Sequence, residues 1–239
     1  MTSHTVDNIL YDASRCDQPV AALFEPEYWL SRGIGTAMMG GRGQVLFIRD
    51  EQRKWVLRHY RRGGLIAKFN GDQYFWMGAE ATRSFREWRL LSKLVELTLP
   101  VPIPIAARYV RSGLSYRADL ITQEITGARS LASILINQSL APAQWQAIGH
   151  TLARFHSHGV QHADLNAHNI VFDSADGIYV LDFDRGVIRT RQAFWVDQVL
   201  ARLLRSLQKL TAQHAFHFGD QDWQRLLRAH RDELERLAT

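Results

Sequence analysis

The sequence predicts an α+β protein built from two parts of different secondary structure. Short β-type runs separated by polar turns dominate the chain up to about Glu124, and apolar residues at helical spacing dominate the remainder. A hydrophobic content of 46% in 239 residues is enough for a substantial core. We therefore predict a first domain, residues 1–124, with an antiparallel sheet and one helix, and a second domain, residues 125–239, with helices and a small hairpin.

The predicted sheet of the first domain rests on four β-type runs. The first two are separated by the turn DEQR and form a hairpin that follows the glycine-rich stretch GIGTAMMGGRGQ. After them, EATRSFREWRLLSKLVEL repeats apolar residues at helical spacing until Pro100 ends the helix. The four runs are GQVLFIRD, RKWVLRHY, PVPIPIAARYV and YRADLITQEI.

Three helices and a hairpin are predicted in the second domain. The stretch LAPAQWQAIGHTLARFHSHGV is amphipathic, and Gly159 suits its C-terminal cap. Two apolar runs, NIVF and IYVL, flank a turn-rich segment and predict the hairpin. Two apolar stripes follow, the first in a helix that begins near Phe194, and we expect both to be packing surfaces.

Composition limits the possible partners and the compartment. The net charge of +5 and the pI near 9.6 favour an anionic partner, such as a nucleotide, a nucleic acid or an acidic lipid. The single cysteine excludes an internal disulfide and is typical of a reducing compartment. The first residues show no signal-peptide pattern, and no apolar run is long enough to span a bilayer. We therefore expect a location in the cytoplasm or on the membrane surface facing it.

The stretches HADLNAHN and LDFDRG combine the residue types that metal-dependent phosphoryl transfer requires. If the two runs of the predicted hairpin pair antiparallel, Asn169 and Asp182 lie side by side. Such oxygen ligands suit Mg²⁺, which completes its coordination shell with phosphate and water. Asp164 lies in the loop before Asn169, where its carboxylate is placed to accept a proton from a substrate hydroxyl.

The order of His162, Asp164, Asn169 and Asp182-Phe183 resembles the catalytic loop and metal-binding motif of protein-kinase-like folds. The resemblance implies a bilobal fold that binds ATP and Mg²⁺ between a sheet-rich lobe and a helical lobe. It implies that Asp164 is the catalytic residue and that Asn169 and Asp182 are the metal ligands. His162 is expected to support the loop rather than to react.

The same resemblance implies a phosphate-binding set in the first domain. Arg58 stands at the position of the kinase lysine and keeps its charge, and Lys68, beyond the strand, is an alternative. Glu87 is expected to pair with this base in preference to Glu80, because its apolar neighbours place the helix against the sheet. A glycine-rich loop over the phosphates is expected at Gly40, Gly41 and Gly43.

Three departures from the kinase pattern indicate an acceptor other than a protein. Ala163 replaces the arginine that meets a phosphorylated activation loop in regulated protein kinases, and Asp184 replaces the glycine after Asp182-Phe183. After LDFDRG the chain runs within about ten residues into the next predicted helix, without an Ala-Pro-Glu segment. The platform for a peptide substrate is therefore missing, which favours a small-molecule or lipid-sugar acceptor.

A wider resemblance covers most of the chain. The stretches VLRHYRRGGLIAKF, FREWRLL, GVQHADLNAHNIVFD and VLDFDRG together resemble the lipopolysaccharide-core kinases of Gram-negative bacteria, most closely those acting on 3-deoxy-D-manno-octulosonic acid (Kdo). This implies ATP-dependent phosphorylation of a Kdo hydroxyl, at the 4-position, on Kdo–lipid A at the cytoplasmic face of the inner membrane. Arg61 and Arg62, in the basic turn after the Arg58 strand, are expected to attract this anionic glycolipid or an acidic leaflet.

Three alternatives remain open from the sequence. The chain could be another kinase, such as a heptose kinase of the same pathway or an atypical protein or aminoglycoside kinase. It could be a non-catalytic, nucleotide-binding pseudokinase, as the arginine at position 58 suggests. A nucleic-acid-binding protein is a weaker alternative, because the basic cluster lacks an aromatic-interleaved motif.

Overall fold

The structure, a computed structural model, describes residues 2–40, 43–61, 72–189 and 193–239. It is an α+β protein with an antiparallel sheet and helices, which confirms the predicted fold class. The chain divides into two compact units. The first contains Met1–Glu96 and Pro102–Glu124, and the second contains Leu97–Val101 and Ile125–Thr239.

One antiparallel sheet of eight strands forms the frame of the first unit. Its strand order is β1-β2-β7-β8-β5-β4-β3, and β6 pairs with one end of β8. The predicted hairpin is present as β4 and β5, and the two later runs are β7 and β8. The strands are β1 (Ser3–Val6), β2 (Ile9–Asp12), β3 (Gly35–Gly40), β4 (Gly43–Arg49), β5 (Lys54–His59), β6 (Tyr74–Phe75), β7 (Pro104–Ser112) and β8 (Ser115–Gln123).

Among the residues that the structure describes, two α-helices accompany this sheet, α1 (Pro26–Leu30) and α2 (Arg83–Glu96). The second is the predicted helix, and it contacts β7 and β8. Its apolar face is buried because Phe85, Trp88 and Leu91 recur at helical spacing. Glu87, the charged residue of this helix that the candidate site uses, is buried as well.

The described part of the second unit contains four α-helices and two small sheets. The predicted catalytic hairpin is β11 paired with β12, and Gly159, with φ of +72°, follows the first long helix as expected. The helices are α3 (Leu131–Asn137), α4 (Pro142–Ser157), α5 (Ala193–Gln213) and α6 (Asp220–Arg236). The strands are β9 (Arg129–Ser130), β10 (Val160–Gln161), β11 (Ile170–Phe172), β12 (Ile178–Val180) and β13 (Val187–Ile188). No helix within the described ranges is both long enough and apolar enough to cross a bilayer.

The structure departs from the predicted domain limits at residues 97–101. These residues lie with the second unit, whereas the prediction placed them in a continuous first domain, 1–124. Backbone hydrogen bonds explain the difference. The Val180 N–H donates to the Pro100 carbonyl at 3.0 Å, and the Arg154 guanidinium donates to the Thr98 carbonyl at 2.7 Å.

Helices α4 and α6 approach each other closely in the second unit. A Cβ atom at Gly149 would lie 2.4 Å from the Leu226 carbonyl oxygen, so only glycine fits this crossing. Close to it, His156 Nδ1 and His230 Nε2 are 2.7 Å apart in a buried hydrogen bond. One ring nitrogen donates and the other accepts, so the accepting ring must be neutral, and burial, which lowers the pKa of both rings, keeps the donating ring neutral as well.

This buried histidine pair predicts a loss of stability in acid. Burial lowers the pKa of His156 to about 3 and that of His230 to about 4, against about 6.5 for an unfolded chain. At a pH between the folded-state and the unfolded-state pKa values, the unfolded chain binds more protons at these histidines than the folded chain does. The free energy of unfolding therefore falls as the pH drops below about 6.5. The expected slope is up to about 1.4 kcal/mol per pH unit for each histidine. Denaturant unfolding at neutral pH and at mildly acidic pH measures this slope of the free energy of unfolding against pH.

Two glutamine variants on the same helix provide the comparison. His156→Gln removes one buried titrating ring, and we expect a shallower slope of stability against pH. His150→Gln changes an exposed histidine of α4 and should leave the slope as in the wild type. Equal slopes for all three proteins would contradict the assignment.

Candidate active site

The basic and acidic residues expected to clamp phosphates meet in the first unit. Arg58 lies on β5 and Glu87 on α2, and Arg58 Nη2 donates to Glu87 Oε2 at 2.6 Å. The Glu87 side chain is 2% exposed and the Arg58 side chain 28% exposed. A carboxylate this buried is stable only when it is paired, so the ion pair holds the arginine at a defined position.

Tyr60 is a third member of this cluster that the sequence interpretation missed. Its hydroxyl donates to Glu87 Oε2 at 2.6 Å and accepts from Arg58 Nη2 at 3.3 Å. Burial and the neighbouring Glu87 carboxylate raise the pKa of Tyr60 well above 10. The residue was detectable in principle, because side chains two positions apart on an extended segment share a face.

His59, between Arg58 and Tyr60, points to a different set of partners. His59 Nδ1 lies 2.6 Å from Asp119 Oδ1, and Arg108 contacts the other oxygen of that carboxylate. The hydrogen bond to Asp119 raises the pKa of His59. These contacts join β5, β8 and β7 side by side and so fix the strand that carries Arg58.

Some of the other site residues predicted in the first unit lie within the described residues, and some lie outside them. Glu80, the rejected partner of Arg58, pairs instead with Arg89 at 2.6 Å on the surface. Arg61, two residues after the end of β5, is exposed. Gly40 and Gly43 are cross-strand neighbours at the end of the β3–β4 hairpin. The predicted residues Gly41, Arg62 and Lys68 lie outside the described residues.

His162 links the catalytic loop to the second strand of the hairpin. Its Nδ1 accepts a hydrogen bond from the Asp164 N–H at 3.1 Å, and its Nε2 lies 2.8 Å from the Leu181 carbonyl oxygen. The ring is therefore neutral with its proton on Nε2, in agreement with burial, which lowers the pKa of His162. The His162 and Phe183 rings also pack edge to face, with their centres 4.8 Å apart. These contacts give His162 a structural role.

The backbone of Asp164 is held from several sides. Its carbonyl oxygen accepts hydrogen bonds from Asn166 Nδ2 at 2.8 Å and Asn169 Nδ2 at 2.9 Å. Its carboxylate is 36% exposed and lies 3.7 Å from the guanidinium of Arg202, on α5. The loop thus presents a carboxylate at the surface on a rigid backbone, which suits proton transfer to and from a bound ligand.

Asn169 and Asp182 are brought together by the backbone of the hairpin. The Leu181 N–H donates to the Asn169 carbonyl at 2.8 Å, so Asp182 follows directly beside Asn169. Because the Asn169 amide nitrogen is used by Asp164, its side-chain oxygen is the remaining acceptor. Asp182 has φ of +63°, an unusual conformation for a residue other than glycine that is often found at functional sites. This oxygen-only donor pair fits Mg²⁺.

The chain after Asp182 is as short as the sequence predicts. The Gly186 N–H donates to the Phe183 carbonyl in a tight turn, and β13 pairs with β10 immediately after it. Helix α5 begins at Ala193, one residue before the predicted start. Ala163 and Asp184 are both half-buried around this turn.

Comparison with known proteins assigns the family. The family described as "Lipopolysaccharide kinase (Kdo/WaaP) family" matches residues 28–230. A protein named 3-deoxy-D-manno-octulosonic acid kinase from Stenotrophomonas maltophilia (strain R551-3) is 48% identical over 225 residues, or 93% of this chain and 88% of the relative. A protein of the same name from Xanthomonas campestris pv. campestris (strain B100) is 45% identical over 93% of this chain and 88% of the relative. Another, from Xylella fastidiosa (strain 9a5c), is 43% identical over 95% of this chain and 90% of the relative.

These matches extend over nearly the whole chain and agree with the resemblance seen in its motifs. They confirm that the chain is a phosphotransferase that acts on a hydroxyl group. The chain belongs to the lipopolysaccharide kinase (Kdo/WaaP) family.

Proposed function

We propose that this chain is an ATP-dependent Kdo kinase that phosphorylates the 4-hydroxyl of Kdo on Kdo–lipid A. The observation that carries the proposal is the complete set of Asp164, Asn169 and Asp182 on one rigid loop and hairpin. The names of the relatives from three genera support the choice of Kdo as the sugar. The two units are, in this proposal, the lobes of a protein-kinase-like fold.

The residues of the first unit bind the nucleotide in this proposal. Arg58 contacts the phosphates of ATP, held in place by Glu87 and Tyr60. A guanidinium can hold phosphate oxygens through two parallel hydrogen bonds, which suits it to replace the usual lysine. The backbone around Gly40, Gly41 and Gly43 covers the phosphates.

The residues of the second unit act on the acceptor. Asp164 orients the sugar hydroxyl and accepts its proton as the oxygen attacks the γ-phosphorus, whose bond to the bridging oxygen breaks to release ADP. Asn169 and Asp182 would hold Mg²⁺, which neutralises phosphate charge when it is bound. Phosphoryl transfer depends mainly on positioning and charge neutralisation, so this small set of side chains is sufficient. Arg61 and Arg62 attract the anionic glycolipid.

Transfer of label from γ-labelled ATP to a Kdo–lipid A precursor tests the proposal. The acceptor panel should include a Kdo-free lipid A precursor, a heptose-containing core oligosaccharide and an aminoglycoside. We expect transfer to the Kdo-containing acceptor alone, with the new phosphate on the 4-hydroxyl by NMR. Transfer to heptose instead would replace the substrate assignment, and the absence of any transfer would favour the pseudokinase.

We also propose that the protein acts at the cytoplasmic face of the inner membrane as a peripheral protein. An exposed apolar patch at one edge of the first unit supports this location. Phe75, Met77 and Leu114 are 66%, 77% and 74% exposed. They are neighbours, because the Trp76 N–H donates to the Leu114 carbonyl at 2.9 Å. Arg111, whose guanidinium lies 5.0 Å from the centre of the Trp76 ring, adds positive charge beside the patch.

Binding to vesicles that contain an acidic phospholipid tests the role of this apolar patch. We expect the double variant Phe75→Ser/Met77→Ser to bind at least about tenfold more weakly, because two large apolar side chains no longer enter the bilayer. Phe194→Ser is the matched control, since Phe194 is 74% exposed in the second unit. Equal binding by the wild type and the double variant would rule out this patch as the contact surface.

A further inference from the structure

We propose that Arg202 binds the carboxylate of the acceptor sugar and thereby selects an acidic sugar as substrate. This inference rests on the proposed function, because it assumes that Asp164 receives the acceptor hydroxyl. It concerns a residue that neither the kinase motifs nor the apolar stripe of α5 singles out. All residues that carry it lie in the second unit.

The position of Arg202 next to the catalytic carboxylate is the first observation. Arg202 Nη1 lies 3.7 Å from Asp164 Oδ1, an ion-pair distance that is too long for a hydrogen bond. The Arg202 side chain is 49% exposed, and within the described ranges no hydrogen bond engages its guanidinium. A loose, exposed pair of this kind contributes little to stability. The guanidinium therefore keeps several donors for a ligand.

Helix α5 is fixed against the catalytic loop, which gives Arg202 a defined place. Ser206 is one turn further along α5, on the same face as Arg202. Its Oγ accepts a hydrogen bond from the Ala167 N–H of the loop at 3.2 Å. Asp164 and Arg202 thus lie on elements that are bonded to each other, so the fold keeps the Arg202 side chain within reach of Asp164.

The chemistry of this arrangement favours a carboxylate ligand. A hydroxyl that reaches Asp164 brings the rest of its sugar ring within a few ångströms of Arg202. An anionic group on that ring is attracted by the guanidinium, which can grip a carboxylate through two parallel hydrogen bonds. A neutral sugar offers no such partner. The later part of α5 adds only positive charge, from Arg205 and Lys209, so nothing on this helix beyond Asp197 repels an anion.

The proposal predicts a change in substrate preference when Arg202 loses its charge. With the sugar acid as acceptor, Arg202→Gln should raise the KM for the acceptor about 10-fold to 100-fold and leave the KM for ATP close to that of the wild type. With the methyl ester of the same acid, wild type and variant should perform alike. Arg205→Gln, an exposed arginine on the same helix, is the matched control and should behave as the wild type with both acceptors.

Binding without ATP separates this inference from the proposed function. Binding of the free sugar acid to the wild type and to Arg202→Gln is measured by NMR titration, independently of transfer. Weaker binding by Arg202→Gln supports the inference even if the wild type transfers no phosphate. The absence of transfer would remove only the proposed function. An increased KM for ATP alone would show that Arg202 binds a nucleotide phosphate and would overturn the inference. An equal loss with the acid and with its ester would overturn it too, because charge recognition would then play no part.

Discussion

The Asp164→Asn variant is expected to lose about 10²-fold to 10⁴-fold in kcat for phosphoryl transfer, because it lacks the proton acceptor. Asparagine has the shape of aspartate. The hydrogen bond from the Asp164 N–H to His162 and those from Asn166 and Asn169 to the Asp164 carbonyl use the backbone, which the substitution leaves in place. The variant should therefore fold normally and bind ATP with a nearly unchanged KM. A fall in kcat without a fall in ATP affinity is the result specific to a catalytic base.

A second aspartate of the same unit provides the control for this measurement. Asp176 lies in the turn between β11 and β12, is 63% exposed, and has φ of +60°, a conformation that asparagine also tolerates. The Asp176→Asn variant should transfer phosphate as the wild type does. If Asp164→Asn retains full activity under the same conditions, Asp164 is not the base, and a different residue must receive the hydroxyl proton.

Replacement of Arg58 is expected to have the second largest effect. Arg58→Ala removes the positive charge proposed to face the ATP phosphates, and we expect kcat/KM for ATP to fall about 10²-fold to 10³-fold, as for the loss of one charge-stabilising donor. The stability should fall as well, because the buried Glu87 carboxylate loses an ion-pair partner. Steady-state kinetics with ATP as the varied substrate, together with denaturant unfolding, measures both effects.

Two further variants separate the loss of charge from the loss of structure. Arg58→Lys keeps the charge with the side chain that most kinases use, and it should retain more activity than Arg58→Ala. Arg89→Ala removes an arginine of α2 whose partner Glu80 lies on the surface, and its activity should match the wild type. Full activity in Arg58→Ala would exclude a phosphate contact at this position and would direct attention to Lys68.

Local patterns explain why many elements were predictable. Helices α2 and α4 bury apolar side chains that recur at helical spacing, and strands β4, β5, β7 and β8 carry dense β-branched and aromatic runs. The hairpin of β11 and β12 follows from two apolar runs around a turn. In each case the signal and the structure it specifies lie in the same short segment.

Elements that depend on a partner strand were not predictable in this way. The four residues of β1 are all exposed, and β3 lies in the glycine-rich stretch before β4, where the sequence predicts no strand. Both are strands because a neighbour supplies the hydrogen bonds, β2 for one and β4 for the other. Strand propensity is weak where no apolar face is buried, so such strands have little signature of their own.

The sequence by itself was enough to predict which residues form the candidate site of the second unit. Asp164, Asn169 and Asp182 are close in the chain, and a tight loop followed by a hairpin is enough to place them together. The sequence also favoured Glu87 over Glu80 as the partner of Arg58, and the structure shows this pair. Only the tertiary structure decided that Tyr60 joins them and that Arg202 reaches Asp164. These contacts join separate helices, strands and loops. Their formation depends on how each helix packs and rotates against its neighbours, and no spacing along the chain encodes that.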